Sequence, residues 1–218
     1  MADGFTGIDR ERAKNDIDNF FDETEWIHRH LRDGCQDLFQ CLKDNWAGPN
    51  AVTDTQILSS RYKDFLTRFA NRGQGICEGA TEAANKLLEA CGEEPIYTRI
   101  YSEFYAFVDD FPNCEVKLPD GRTGMAKETV GQMLDFFVKQ ANLQVGRMFN
   151  LPRQIAFYDP EGNLVETYDN NIGEFVEEAR QLIDDTNTTL KTDIEGEQED
   201  LTIAQKEAQD ILENMGNS

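Results

Sequence analysis

Asn45-Trp46-Ala47-Gly48-Pro49-Asn50 interrupts two long stretches of helical periodicity, and the reading of this break decides the fold. Before it, Ile17, Thr24, Leu31 and Leu38 fall seven apart, with Phe20, Phe21, Ile27, His28, Cys35, Cys41 and Leu42 three or four residues behind them. That spacing predicts one apolar stripe on a helix from about residue 9 to about 44. After it, Leu58, Tyr62, Phe65, Phe69, Ile76, Ala80, Ala83, Leu87 and Ala90 run in steps of three and four with one wider gap, predicting a second amphipathic helix. Gly48 opens backbone angles closed to other residues, and Pro49 cannot continue the first helix. Thr53 with Gln56 three residues on resembles a capping box for the second. Two apolar stripes joined by a tight turn predict an antiparallel helical hairpin over residues 8–92.

The second half repeats the theme with a difference. Gly92 and Pro95 end the second arm. Residues 93–122 read as a crossover segment: Tyr97 to Val108 fits a short aromatic helix or a strand, and Glu115 to Leu118 before Pro119-Asp120-Gly121 reads as a small strand entering a turn. Residues 123–218 read as a second hairpin. Its first helix, from about 125 to 149, carries Val130, Leu134, Phe137, Ala141, Val145 and Met148 on one face. A β-hairpin is predicted at 153–168, where two β-rich runs flank Asp159-Pro160-Glu161-Gly162-Asn163. The last helix has one stripe at Ile172, Phe175, Val176, Ala179, Leu182 and Ile183 and another at Leu201, Ala204, Ala208, Ile211 and Met215, with Gly196 expected to weaken or bend it between the two. The fold expected is mainly α: an elongated four-helix bundle built from two antiparallel helical hairpins, with a small β-hairpin in the second half. The crossover would cap the apolar surface left at the end of arms of unequal length.

Composition narrows the function. A chain of 218 residues with 39% hydrophobic content has material for a real core. Its formal net charge of -21 argues against sequence-independent binding to nucleic acid or anionic lipid, because such binding needs Lys and Arg to displace counterions. Much of that charge lies from Glu161 onward, where sixteen acidic residues stand against three basic ones. A solvated helix face and a specific acidic docking surface both fit this run. No run of 18 apolar residues occurs, and Met1-Ala2-Asp3-Gly4-Phe5 lacks the basic start and apolar core of a secretory signal, so a cytoplasmic chain without membrane insertion is expected. Cys35, Cys41, Cys77 and Cys91 lie on or beside the helical stripes and read as buried thiols in a reducing compartment.

The catalytic inventory points away from an enzyme. His28 and His30, the two histidines, sit two apart and face different directions on a helix, so they cannot share a metal. A zinc site through His28 and Cys35 would need two further ligands. Gly73, Gly75 and Gly79 follow no strand and lack a P-loop lysine; they read as points of close helix approach or a break in the second arm. Acidic pairs such as Asp109-Asp110 and Asp184-Asp185 have no basic or aromatic company that would tune them. No metal and no cofactor are expected.

With a helix before Trp46-Ala47-Gly48 and an amphipathic helix after it, residues 8–92 resemble the WXG100 family, small helical-hairpin proteins exported by type VII secretion systems. Such proteins also carry Tyr-x-x-x-Asp or Tyr-x-x-x-Glu after the hairpin, and Tyr105-Ala106-Phe107-Val108-Asp109 matches that pattern. In a helix Tyr105 and Asp109 would lie one turn apart, offering a phenol and a carboxylate to one partner; an aromatic core helix striped by Tyr97, Tyr101 and Tyr105 fits equally. The resemblance implies secretion without a cleaved signal peptide, Trp46, Gly48, Tyr105 and Asp109 as the export signal, and a secretion ATPase or another helical-hairpin protein as partner. Family members are about 100 residues long and dimerise into four helices. Here the second hairpin would imitate that dimer internally, leaving a monomer or a homodimer. Two other readings stay open: a structural or scaffolding component of a phage or injection particle, and an acidic decoy of a nucleic-acid-binding protein.

Overall fold

The computed structural model describes residues 7–47, 49–99, 124–125 and 127–216. Among them are four helices: α1 (Arg10–Asn45), α2 (Pro49–Ala90), α3 (Lys127–Asn150) and α4 (Glu174–Gly216). Between α1 and α2 lies β1 (Trp46–Ala47), which pairs antiparallel with β2 (Gly124–Met125), Trp46 opposite Met125 and Ala47 opposite Gly124. β3 (Gln154–Tyr158) and β4 (Leu164–Asp169) form the antiparallel hairpin between α3 and α4. The chain is thus mainly helical with a small antiparallel sheet in its second half.

Local chemistry fixes most of the helix ends. Asp9 caps α1, its carboxylate accepting the Arg12 amide at 3.0 Å while its carbonyl takes the Ala13 amide at 2.9 Å. α2 closes in a Schellman turn: Glu93 N–H donates to the Leu88 carbonyl at 2.9 Å and Gly92 N–H to that of Glu89 at 3.0 Å, which puts Gly92 at φ +73. Asn85 then holds the departing chain, accepting the Ile96 amide at 2.8 Å and donating to its carbonyl at 2.9 Å. Arg153 caps α3 by donating to the carbonyls of Phe149 at 3.1 Å and Leu151 at 3.0 Å.

Three sequence expectations are corrected. α2 begins at Pro49 and not at the Thr53 capping box, because proline's fixed φ suits the first helical position. Gly75 and its neighbours do not break α2, which is continuous to Ala90. Cys91 is exposed, whereas Cys35, Cys41 and Cys77 are buried. Near its end the α2 stripe also drifts by one position: Ala84 and Leu88 are buried, and Ala90 is exposed. The expectations for 100–122 lie outside the described residues, as do the side chains of the Leu201 to Met215 stripe.

The chain forms two compact units, each drawing on both halves of the sequence. The first comprises Met1–Arg32, Asp64–Asp110 and Leu143–Arg180. Here α1 and α2 run in opposite directions: Gly7 lies against Cys91, Arg10 Nε donates to the Glu94 carbonyl at 3.0 Å, and Gly73 faces Thr24. Thr24 is fully buried yet satisfied, donating to the Phe20 and Phe21 carbonyls. Phe65 and Phe69 of α2 meet the ring of Phe175 on α4 edge-on at 5.9 and 5.6 Å, and Arg68 pairs with Glu178 beside them.

The second unit comprises Asp33–Lys63, Phe111–Asn142 and Gln181–Ser218. Its centre is Tyr62 on α2, buried against Phe39 of α1 at 6.0 Å and Phe137 of α3 at 5.8 Å. The Thr186 hydroxyl gives its proton to the Leu182 carbonyl at 2.7 Å, so Tyr62 must donate to Thr186 at 2.9 Å. Gly34 makes room for the Phe137 ring, 3.5 Å from where a Cβ would stand.

Two predictions follow from this packing. A Cβ on Gly79 would lie 2.7 Å from Tyr168 Cζ, whereas one on Gly75 meets nothing. Gly79→Ala should therefore destabilise by about 1–3 kcal/mol and Gly75→Ala stabilise by about 0.5–1 kcal/mol, read by urea unfolding. Burial pushes the Tyr62 phenol well above its usual value and the Cys77 thiol up to about 12. Groups raised in the folded state give stability that is complete below their unfolded values, near 9.0 for Cys77 and 10.0 for Tyr62, and is lost above them. The urea midpoint should hold below about pH 9 and fall beyond it, the fall becoming shallower in Cys77→Ala, where Cys41, its thiol also raised by burial, still titrates.

Candidate functional site

The turn that decides the fold is closed by packing. Asn45, the last residue of α1, folds its side-chain amide back to the Cys41 carbonyl at 2.9 Å, and the chain then extends as β1. Trp46 is 2% exposed and among the largest fully buried side chains, and its indole N–H meets no acceptor among the described residues. The ring is therefore core, as expected for a large side chain covering helix ends. Gly48, Tyr105 and Asp109 lie outside the described residues, so Trp46 alone of the four expected signal residues has a described place. Its pairing with Met125 was not legible: two-residue strands are too short to show alternation, and residue 125 was read as the start of a helix.

The residues weighed for metal or catalytic chemistry are dispersed. His28 and Cys35 are fully buried on the inner face of α1. His30 stacks on Trp26 at 3.8 Å, its Nδ1 2.9 Å from the Trp26 carbonyl. Among the described residues no three His, Cys, Asp or Glu side chains come close enough to hold a metal ion. No described helix is long and apolar enough to cross a membrane.

Two features had no place in the sequence reading. Trp26 is 42% exposed on the face of α1 opposite the core stripe, with the Arg147 guanidinium 5.0 Å above its ring and bonded to Glu23 at 3.2 Å. An aromatic residue out of phase with the stripe was the available signal. The second feature is a cleft of about 420 Å³ between the first turns of α1 and β3. Arg12 lies over the Tyr158 ring at 3.6 Å and within 3.9 Å of Asp16. Burial raises the Asp16 carboxyl above the usual aspartate value, Arg12 opposes the shift and Asp9 adds to it. Phe20 and Ile155, both buried, line the cleft with Glu23 and Gln154. Its residues come from two remote segments, Arg12 to Glu23 and Pro152 to Tyr158, and periodicity cannot pair them.

The acidic C-terminal helix is partly neutralised where its side chains are described. Arg61 binds Asp185 at 2.6 Å, holding that carboxyl below the usual range with help from Gln181, and Arg68 binds Glu178 through two nitrogens. Comparison with family models, with curated proteins and with solved structures gave no match.

Proposed function

We propose that this chain is a non-enzymatic helical protein that works by binding other proteins, exported by or acting as a partner in a type VII-like secretion system. The observation that carries the reading is the break at Trp46 and Ala47 between two long helices, with α1 and α2 running oppositely in each compact unit. In the finer form of the proposal the four helices make an elongated bundle. Support comes from each unit by itself, since Phe39, Tyr62, Phe137 and Thr186 bring four helices together in one, and Glu23, Arg68, Arg147 and Glu178 link helices pairwise in the other. With four helices among the described residues, a monomer already has the helices that the family dimer brings together. The Trp46-Ala47-Gly48 turn, with Tyr105 and Asp109, is the signal read by a secretion ATPase or a second helical-hairpin protein. Because the Trp46 ring is packed inside, it sets the shape of the turn, and the partner reads what the turn presents. The acidic-decoy reading draws less support, since Arg61 and Arg68 already occupy Asp185 and Glu178.

Burial decides which variants test this. Trp46→Ala should cost about 3–5 kcal/mol and would lose export through unfolding alone. Tyr105→Ala and Asp109→Ala are the informative changes. In a host with an intact type VII system, the native chain should reach the culture medium, while each variant stays inside with an unchanged urea midpoint. Export that persists after deletion of the secretion ATPase, or that is normal in the double variant, would overturn the reading.

A further inference from the structure

The hairpin β3–β4 has two strands, so each strand has one edge without a strand neighbour among the described residues. Backbone groups along a strand point alternately to either side. The Arg153 carbonyl accepts the Asn170 amide at 2.9 Å, and the Asp159 amide donates to the Asn163 carbonyl at 2.9 Å, so odd-numbered positions of β3 face β4. The even positions Gln154, Ala156 and Tyr158 therefore face outward. Tyr158 bears this out: its carbonyl accepts the Asp9 amide at 2.7 Å, so the chain's own backbone already lies along that edge at one end. At Gln154 and Ala156 the outward N–H and C=O groups meet no backbone partner among the described residues. Both residues line the 420 Å³ cleft.

An edge of this kind is a template for one more strand. The cleft supplies the rest of a strand site. Phe20 and Ile155 give it an apolar floor, and Arg12, turned onto the Tyr158 ring, closes one end. On the α1 wall Glu23 is already bonded to Arg147 at 3.2 Å, while Asp16 has only the longer 3.9 Å contact with Arg12, in a chain of net charge -21. We propose that the outward edge of β3 is a docking site for an extended segment of a partner protein, which adds a third strand at Gln154 and Ala156 and places a Lys or Arg side chain against Asp16. Apolar side chains on the segment's other face rest on Phe20 and Ile155. The alternation of β3 sets where the segment lies, and the Asp16 carboxylate sets which segment is taken. This inference is independent of the export reading, and loss of that reading leaves it standing.

The test uses the full-length chain labelled with nitrogen-15 and amide exchange followed by NMR. In the free protein the Ala156 amide should exchange rapidly while the Phe157 amide, facing β4, is protected. The probe is the acetylated, amidated peptide Thr-Val-Lys-Val-Thr. It should slow Ala156 exchange and shift the Gln154 and Ala156 resonances. The same peptide with Glu in place of Lys should bind about tenfold more weakly, and a version N-methylated at both valines should not bind. Asp16→Asn should shrink the preference for Lys over Glu while leaving the melting temperature unchanged. Protection of Ala156 in the free chain would overturn the proposal, as would equal binding of the methylated peptide or no shift with the Lys peptide at millimolar concentration.

Discussion

A buried phenol has to hand its proton to something, and in the second compact unit that requirement ties the helices together. Tyr62 is surrounded by Phe39, Phe137 and Thr186, one residue from each of the other helices. Its ring supplies apolar contact to α1 and α3, and its hydroxyl finds its acceptors on α4, the Thr186 oxygen at 2.9 Å, made available because Thr186 spends its own proton within α4, and the Leu182 carbonyl at 3.4 Å. Leaving such a group without a partner costs about 1–3 kcal/mol, comparable to a sizeable part of a domain's stability. The position of α4 against α2 is therefore specified by hydrogen-bond geometry as well as by apolar area. Arg61 with Asp185 repeats the same pairing of α2 and α4 at the rim.

The first unit solves a different problem, the attachment of a β-hairpin to helices on either side. Arg153 answers it by capping the carbonyl end of α3 from the first residues after the helix. Its guanidinium fills the space beside Gly173, where a Cβ would come within 2.6 Å of Nε, so the entry to α4 is kept clear for the same side chain. Tyr168 lies over Gly79 in similar fashion and seats β4 on α2. Both glycines are defined by what their neighbours occupy.

How much of this was legible depends on the range over which each signal acts. The stripes of α1 and α3 and the turn at Asp159 to Asn163 are local in sequence, and they were read within one or two residues. Every stripe position named for α3 is buried. The errors arose where two local preferences competed or where a distant contact decided. Pro49 outcompeted Thr53 for the start of α2. At the end of α2 the steps of three and four accumulate a phase error, which moved burial from Ala83 and Leu87 to Ala84 and Leu88. The cleft beside β3 and the pairing of Trp46 with Met125 join remote segments, and periodicity within a single sequence carries no trace of such neighbours.

The β-hairpin turn has a practical consequence. Asp159 closes it from within, accepting the Asn163 amide at 2.7 Å and the Asn163 side chain at 2.9 Å, so the exposed tip at Pro160 and Glu161 takes no part in strand pairing. Grafting an epitope or a fluorophore between those two residues would place a reporter on the molecule that leaves the helices, the buried indole and the outward edge of β3 undisturbed.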